Sequence, residues 1–167
     1  MAKSLKYFLL AIILMFVQIM ILDKLYLLKL PNVYIYILII LLLPYKFNRI
    51  LLLFLSFGLG LTLDMFNSTP GLHAIAATFV AFIRTPLLNS ISNFEEYDNN
   101  VMLSHHKYKW TWFFKYYGII IITHNTIILL LQYLTFINFY EILIRILISS
   151  TITFGFIFIT YMFFVKR

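Results

Sequence analysis

Residues 58–77 read GLGLTLDMFNSTPGLHAIAA. Long apolar runs flank this stretch on both sides, yet it holds an acid, an imidazole, a proline and three glycines. Pro70 and Gly71 close a short polar turn, 67–70, that reverses the chain between two apolar segments. Before the turn, Ser56, Gly60 and Asp64 recur every four residues and share one helical face, with Gly58 beside it. After the turn, His73, Ala77, Val80, Ala81 and Arg84 share a small, polar face. Small residues at this spacing let two backbones approach closely, which is how helices associate where lipid removes the hydrophobic drive. The stretch therefore predicts an antiparallel helical hairpin packed small face to small face. Three readings of Asp64 and His73 follow. Asp64 caps the turn or the next helix while His73 satisfies a carbonyl; the two form a proton-linked or ligand-binding pair; or they contact a partner protein.

Composition makes lipid the solvent for such a hairpin. Of 167 residues, 63% are hydrophobic and 11% charged, and the mean hydropathy is +0.95. A soluble domain carries roughly a quarter charged residues, so an integral membrane protein is expected. The net charge of +7 is spread singly or in pairs at the ends of apolar runs. That is the distribution of membrane anchors, and it argues for no nucleic-acid partner. Cysteine is absent, which excludes disulfides and thiolate metal sites.

Six apolar segments can be drawn, at about 5–22, 33–45, 50–66, 71–88, 113–134 and 142–165. They predict a single all-α, polytopic domain spanning 1–167 with about six transmembrane helices. The second segment is short for a bilayer of about 30 Å. The opening MAKSLKYFLLAIILMFVQIMIL has a charged start but no small-residue cleavage site, and is read as a retained first helix. With the N-terminus in the cytoplasm, the inner side receives ten of the 13 Lys and Arg residues, and only Lys24, Lys29 and Arg145 fall outside. This bias favours a multi-pass protein of the cytoplasmic membrane with both termini inside. Only residues 89–110 form a connection longer than a turn, so function must reside in the helices themselves.

Polar residues within the later segments extend the candidate list. Gly118, Asn125 and Gln132 recur every seven residues, with His124 beside them, and Glu141, Arg145, Ser149 and Thr153 step by four. Such stripes predict an intramembrane polar seam of His124, Asn125, Gln132, Arg145, Ser149 and Thr153. Glu141 and Arg145 are expected to pair at the surface, and Arg84 to snorkel to the inner interface as an anchor. His105 and His106 are adjacent without a third ligand, so no metal site is expected. No phosphate-binding loop, HExxH or nucleophile elbow occurs, so neither catalysis nor a cofactor is expected.

The stretch GLGLTLDMFNSTPGLHAIAATFVAFIR resembles the signature region of MreD, the rod-shape-determining membrane protein family, in its Bacteroidetes-type branch. Gly60, Asp64, Pro70, Gly71, Leu72, His73 and Ala74 match that family's Leu-x-Asp, turn and Gly-Leu-His-Ala positions. His124-Asn125 and FYEILIRILISSTITF resemble its fifth and sixth helices. Asn125 stands where a second His is common, and Gln132 where an acid is expected, which puts a proton-carrying role for the fifth helix in doubt.

The resemblance implies a non-enzymatic scaffold that binds the periplasmic coiled-coil protein MreC, in one assembly with the MreB filament and the RodA/penicillin-binding-protein wall synthase. It also implies a fold similar to the substrate-binding subunits of energy-coupling factor importers, and a vitamin-type importer subunit is the alternative. The docking surface expected on the scaffold reading comprises Gly58, Gly60, Asp64, Pro70, Gly71, His73, Ala77 and Ala81.

Overall fold

The computed structural model describes residues 2–25, 31–91, 103, 109–133 and 139–164, and of residues 2–7, 25 and 164 the backbone only. Among the described residues there are six helices and no strand. Helix α1 runs Ala2–Val17 and continues through a π-helical turn, Gln18–Leu22, into Asp23–Leu25. Helix α2 is Ile37–Leu42, α3 is Arg49–Asn67, α4 is Leu72–Ile91, α5 is Trp110–Gln132 and α6 is Phe139–Phe164. Four of them, α3 to α6, are long and apolar enough to cross a membrane.

Their exposed surfaces fit that environment. Between 28% and 44% of each spanning window is buried inside the protein, so most of each helix faces outward. What it presents is large and apolar: Phe54 and Met65 on α3, Phe82 on α4, Phe114 on α5 and Phe163 on α6 are all exposed. A water-soluble protein rarely shows more than a few hundred Å² of such contiguous surface. The chain is a polytopic α-helical membrane protein.

The second apolar segment departs from expectation. Residues 33–45 do not form a spanning helix; residues 31–34 lack regular structure, 35–36 turn, and only Ile37–Leu42 is helical. Pro44 explains the end, because a residue before proline is pushed out of the helical region. Leu43 accordingly sits at φ −59°, ψ 147°. The segment is nonetheless deeply placed: Tyr36, Ile37, Leu38, Ile40 and Leu41 are each 0% exposed. In α1 the apolar stretch whose side chains are described is Phe8–Leu22.

The spanning helices pack in sequence order, α3 on α4, α4 on α5 and α5 on α6. Alternation of direction is fixed by contacts between opposite ends. Arg84, late in α4, meets Tyr116, early in α5, and Phe113 near the start of α5 lies 4.8 Å from Tyr161 near the end of α6. Phe113 also stacks on Tyr117 at 4.1 Å, and all three rings are fully buried.

The α3–α4 hairpin forms as the small-residue pattern predicts. Asn48 caps α3, its side chain accepting from the Ile50 and Leu51 amides at 2.9 and 3.1 Å. At the other end the chain turns through Ser68 and Gly71, both at positive φ (54° and 81°). Gly60 is the closest approach. A Cβ there would collide with the carbonyl oxygen of His73 and with backbone atoms of Ala74. Gly58, by contrast, is exposed with nothing within 4 Å of an added Cβ, so it stands apart from the hairpin contact.

Gly60→Ala is therefore expected to destabilise the purified protein by about 1–3 kcal/mol, since backbone cannot rotate out of the way. Gly58→Ala should be neutral or up to about 1 kcal/mol stabilising through helix propensity. Thermal unfolding in detergent micelles checks the pair, and equal losses at both positions would contradict this packing.

Candidate functional site

The polar side chains inside the bundle gather around the broken segment. Its non-helical backbone exposes amides and carbonyls that hydrocarbon cannot satisfy. Gln18, presented by the π-helical turn of α1, meets two of them at once: its Nε2 donates to the Val33 carbonyl at 2.9 Å and its Oε1 accepts from the Ile35 amide at 2.8 Å. The amide acts as a neighbouring strand would. From α6, Ser149 Oγ donates to the Asn32 carbonyl at 2.5 Å, and Thr153 Oγ1 accepts from the Tyr34 amide at 3.3 Å.

The far end of the segment is capped from α4 and α5. Tyr116 Oη donates to the Leu41 carbonyl at 3.3 Å and accepts from Arg84 Nε at 3.0 Å. One terminal nitrogen of Arg84 donates to the carbonyls of Leu43 and, at 3.2 Å, of Pro44. The expected surface anchor is thus a buried cap: Arg84 is 1% exposed. A cation at the end of a helix also complements the negative pole of its dipole. The long side chain does not snorkel because unpaired carbonyls lie within its reach.

Asp64 and His73 are neighbours without being an acid–imidazole pair. Asp64 Oδ1 accepts from the His73 amide at 3.0 Å and from Thr69 Oγ1 at 2.6 Å, while Oδ2 accepts from the Ala74 amide at 2.9 Å. The carboxylate therefore caps α4, meeting its first free N–H groups and the positive pole of its dipole. The His73 ring turns away from this cap. It lies edge-on to Tyr34 and Tyr36, with centroids at 5.4 and 6.0 Å, and its Nδ1 has no hydrogen-bond partner.

His124 completes this box from α5, 5.3 Å from the Tyr34 ring and 5.4 Å from that of Tyr36. Its Nε2 is 2.6 Å from Tyr36 Oη, and its Nδ1 is 3.4 Å from Asn125 Oδ1. Asn125 Nδ2 donates to Ser150 Oγ on α6 at 3.2 Å. One tautomer fits all of these contacts. Tyr36 donates to Nε2, and a protonated Nδ1 faces the Asn125 oxygen, whose amide nitrogen is directed to Ser150.

Beside the box, at the hairpin end of the bundle, lies a cleft of about 320 Å³. Asp23, Lys24, Tyr34, Phe66, His73 and Gln132 are on its wall. Asp23 is held from both sides, Oδ1 accepting from Gln18 Nε2 and Oδ2 from Asn67 Nδ2, each at 2.6 Å. Cleft and broken segment therefore share Gln18.

The expected residues divide accordingly. Gly60, Asp64, Gly71 and His73 meet at the hairpin, Ala77 and Ala81 are fully buried along α4, and Pro70 is exposed on the turn. Of the expected seam, Asn125 makes a helix-to-helix bond, Ser149 and Thr153 brace the segment, and Gln132 reaches the cleft. Arg145 stands outside the seam, exposed and paired with Glu141 at 2.6 Å, as expected for that pair. His105, His106 and most of the 89–110 connection lie outside the described residues. Among the described residues no group of three or more His, Asp or Glu could hold a metal.

Gln18, Asp23, Tyr34, Tyr36 and Tyr116 were missed by sequence reasoning. Gln18 carried a signal, as the one amide in the first apolar run. No family profile, curated protein or solved structure matches the chain.

Replacing Gln18 by Leu orphans two buried backbone groups, each costing about 1–3 kcal/mol. An unfolding free-energy loss of about 2 kcal/mol or more is expected by denaturant titration in micelles. Thr151→Val, at an exposed residue bonded only to its own helix, should stay within about 0.5 kcal/mol of the parent. A Gln18→Leu protein as stable as that control would show that the segment is held by other means.

Proposed function

We propose that the chain is a non-enzymatic scaffold of the MreD type, acting in bacterial cell elongation at the cytoplasmic membrane. On this reading both termini are cytoplasmic and the hairpin end of the bundle faces the periplasm. MreC docks beside the α3–α4 turn, in one assembly with the MreB filament and the RodA/penicillin-binding-protein synthase.

The observation that best supports a scaffold is the filled interior. Where a carrier would keep a passage, the bundle holds its own segment, with residues 36–38, 40 and 41 fully buried. Gln18, Arg84, Tyr116, Ser149 and Thr153 are engaged with that segment's backbone and are not directed at a solute path. The residues that carry the family resemblance also act as one device: Gly60 admits the start of α4, Asp64 caps it and Gly71 turns into it. Such a device stiffens an outer edge, as a docking surface requires.

Depletion of the protein is expected to round rod-shaped cells within a few generations, read by microscopy. Cysteines at the exposed Met65 and Ser68 should crosslink to MreC, whereas one at Phe163, on the opposite end of the bundle, should not. Cells that stay rod-shaped, or a crosslink confined to position 163, would overturn the reading.

The cleft favours a second reading, as the substrate-binding subunit of a small-molecule importer. Its volume of about 320 Å³ falls at the small end of ligand pockets. Co-purification with an ATPase-bearing partner, together with normal cell shape on depletion, would select this alternative.

A further inference from the structure

The cleft at the hairpin end carries charge on its wall that the bracing of the fold leaves uncompensated. Asp23 is a partly buried carboxylate whose two oxygens are fixed by neutral amides, Gln18 and Asn67, and no cation among the described residues pairs with it. Two amide donors orient a carboxylate without neutralising it, and each oxygen keeps a free lone pair. Phe66, 60% exposed, lines the same wall and gives it an apolar rim. A cation is present as well. Lys24 is exposed at the cleft, and His73, only 5% exposed, has a ring nitrogen with no partner.

From this wall we infer that the cleft binds a small zwitterion. Its primary ammonium sits on Asp23, and its anionic oxygens face Lys24, with the His73 ring on the same wall. The volume, about 320 Å³, suits an aminoalkyl phosphate or an amino acid, and no larger cofactor. Two sources share this chemistry: the headgroup of an ethanolamine phospholipid and a free zwitterion. The cleft lies where α3 ends, with Met65 and Phe66 exposed on the last turn, so a headgroup can enter while its acyl chains stay along the helix. The inference rests on the cleft alone and holds for a scaffold or an importer subunit.

The test uses the purified full-length protein and native mass spectrometry. Its probes are short-chain phosphatidylethanolamine, the matching phosphatidylcholine and phosphatidylglycerol, and free phosphoethanolamine. Phosphatidylethanolamine should be retained at least about tenfold better than phosphatidylcholine, whose trimethylated nitrogen has no N–H to give a carboxylate. D23N should abolish that preference. Because Asp23 also braces Gln18, a second variant, K24Q, keeps the test independent of folding: it makes no hydrogen bond to lose and should weaken retention several-fold.

If free phosphoethanolamine binds with the same dependence on Asp23 while the lipids do not discriminate, the ligand is the soluble zwitterion and the inference stands. Equal retention of all three lipids with no binding of phosphoethanolamine overturns it. So does a D23N and K24Q pair that binds like the parent. Normal or rounded cells on depletion leave this result untouched, so the two readings fail separately.

Discussion

A backbone that leaves the helix inside hydrocarbon must find a partner for each N–H and C=O that the helix would have paired. Residues 31–45 impose that demand on the bundle, and the other helices answer it with side chains. Gln18 comes from α1, Arg84 from α4, Tyr116 from α5, and Ser149 and Thr153 from α6. Each of these helices is thereby fixed in rotation about its own axis, because turning it would aim its polar residue away from the carbonyl or amide it serves. Gln18, Arg84, Ser149 and Thr153, all buried, are thus engaged by one irregular segment, while Asn125 and Ser150 join α5 to α6 directly.

The hairpin solves a different problem with the same economy of residues. The start of α4 can approach α3 only where Gly60 has no side chain, and the amides it brings there need an acceptor, which Asp64 supplies one turn later. Glycine and aspartate four residues apart are therefore two halves of one contact, steric and electrostatic. The capping role for Asp64 agrees with the structure. The expected carbonyl contact of His73 does not appear: the ring faces the two tyrosines and keeps an unpaired nitrogen.

What was legible in the sequence was what is local. The membrane class follows from composition, the hairpin from a four-residue period, and the Asp64 cap from a separation of ten residues or fewer. The broken segment escaped because an apolar run reads the same whether its helix is continuous or interrupted, and only Pro31-Asn32 and Pro44 mark its ends. Its partners are also remote. Thr153 serves an amide 119 positions away, and Arg84 a carbonyl 41 positions away. A cation near a helix end looks like an anchor unless it is known which carbonyls lie unpaired beside it. That knowledge is tertiary. Gly58 shows the converse, a small residue in the right run whose phase places it away from the contact.

Asp23 joins these two devices. One of its oxygens takes the same Gln18 nitrogen that holds Val33, and the other takes Asn67 at the last residue of α3. The broken segment, the end of α1 and the hairpin are thus linked by consecutive hydrogen bonds through a single carboxylate. Hydrogen bonds to a carboxylate are roughly twice as strong as neutral ones, so this link is a stiff one. The carboxylate proposed to hold the ammonium is also the one that ties the hairpin to the core, so a ligand there and the position of the hairpin bear on the same group.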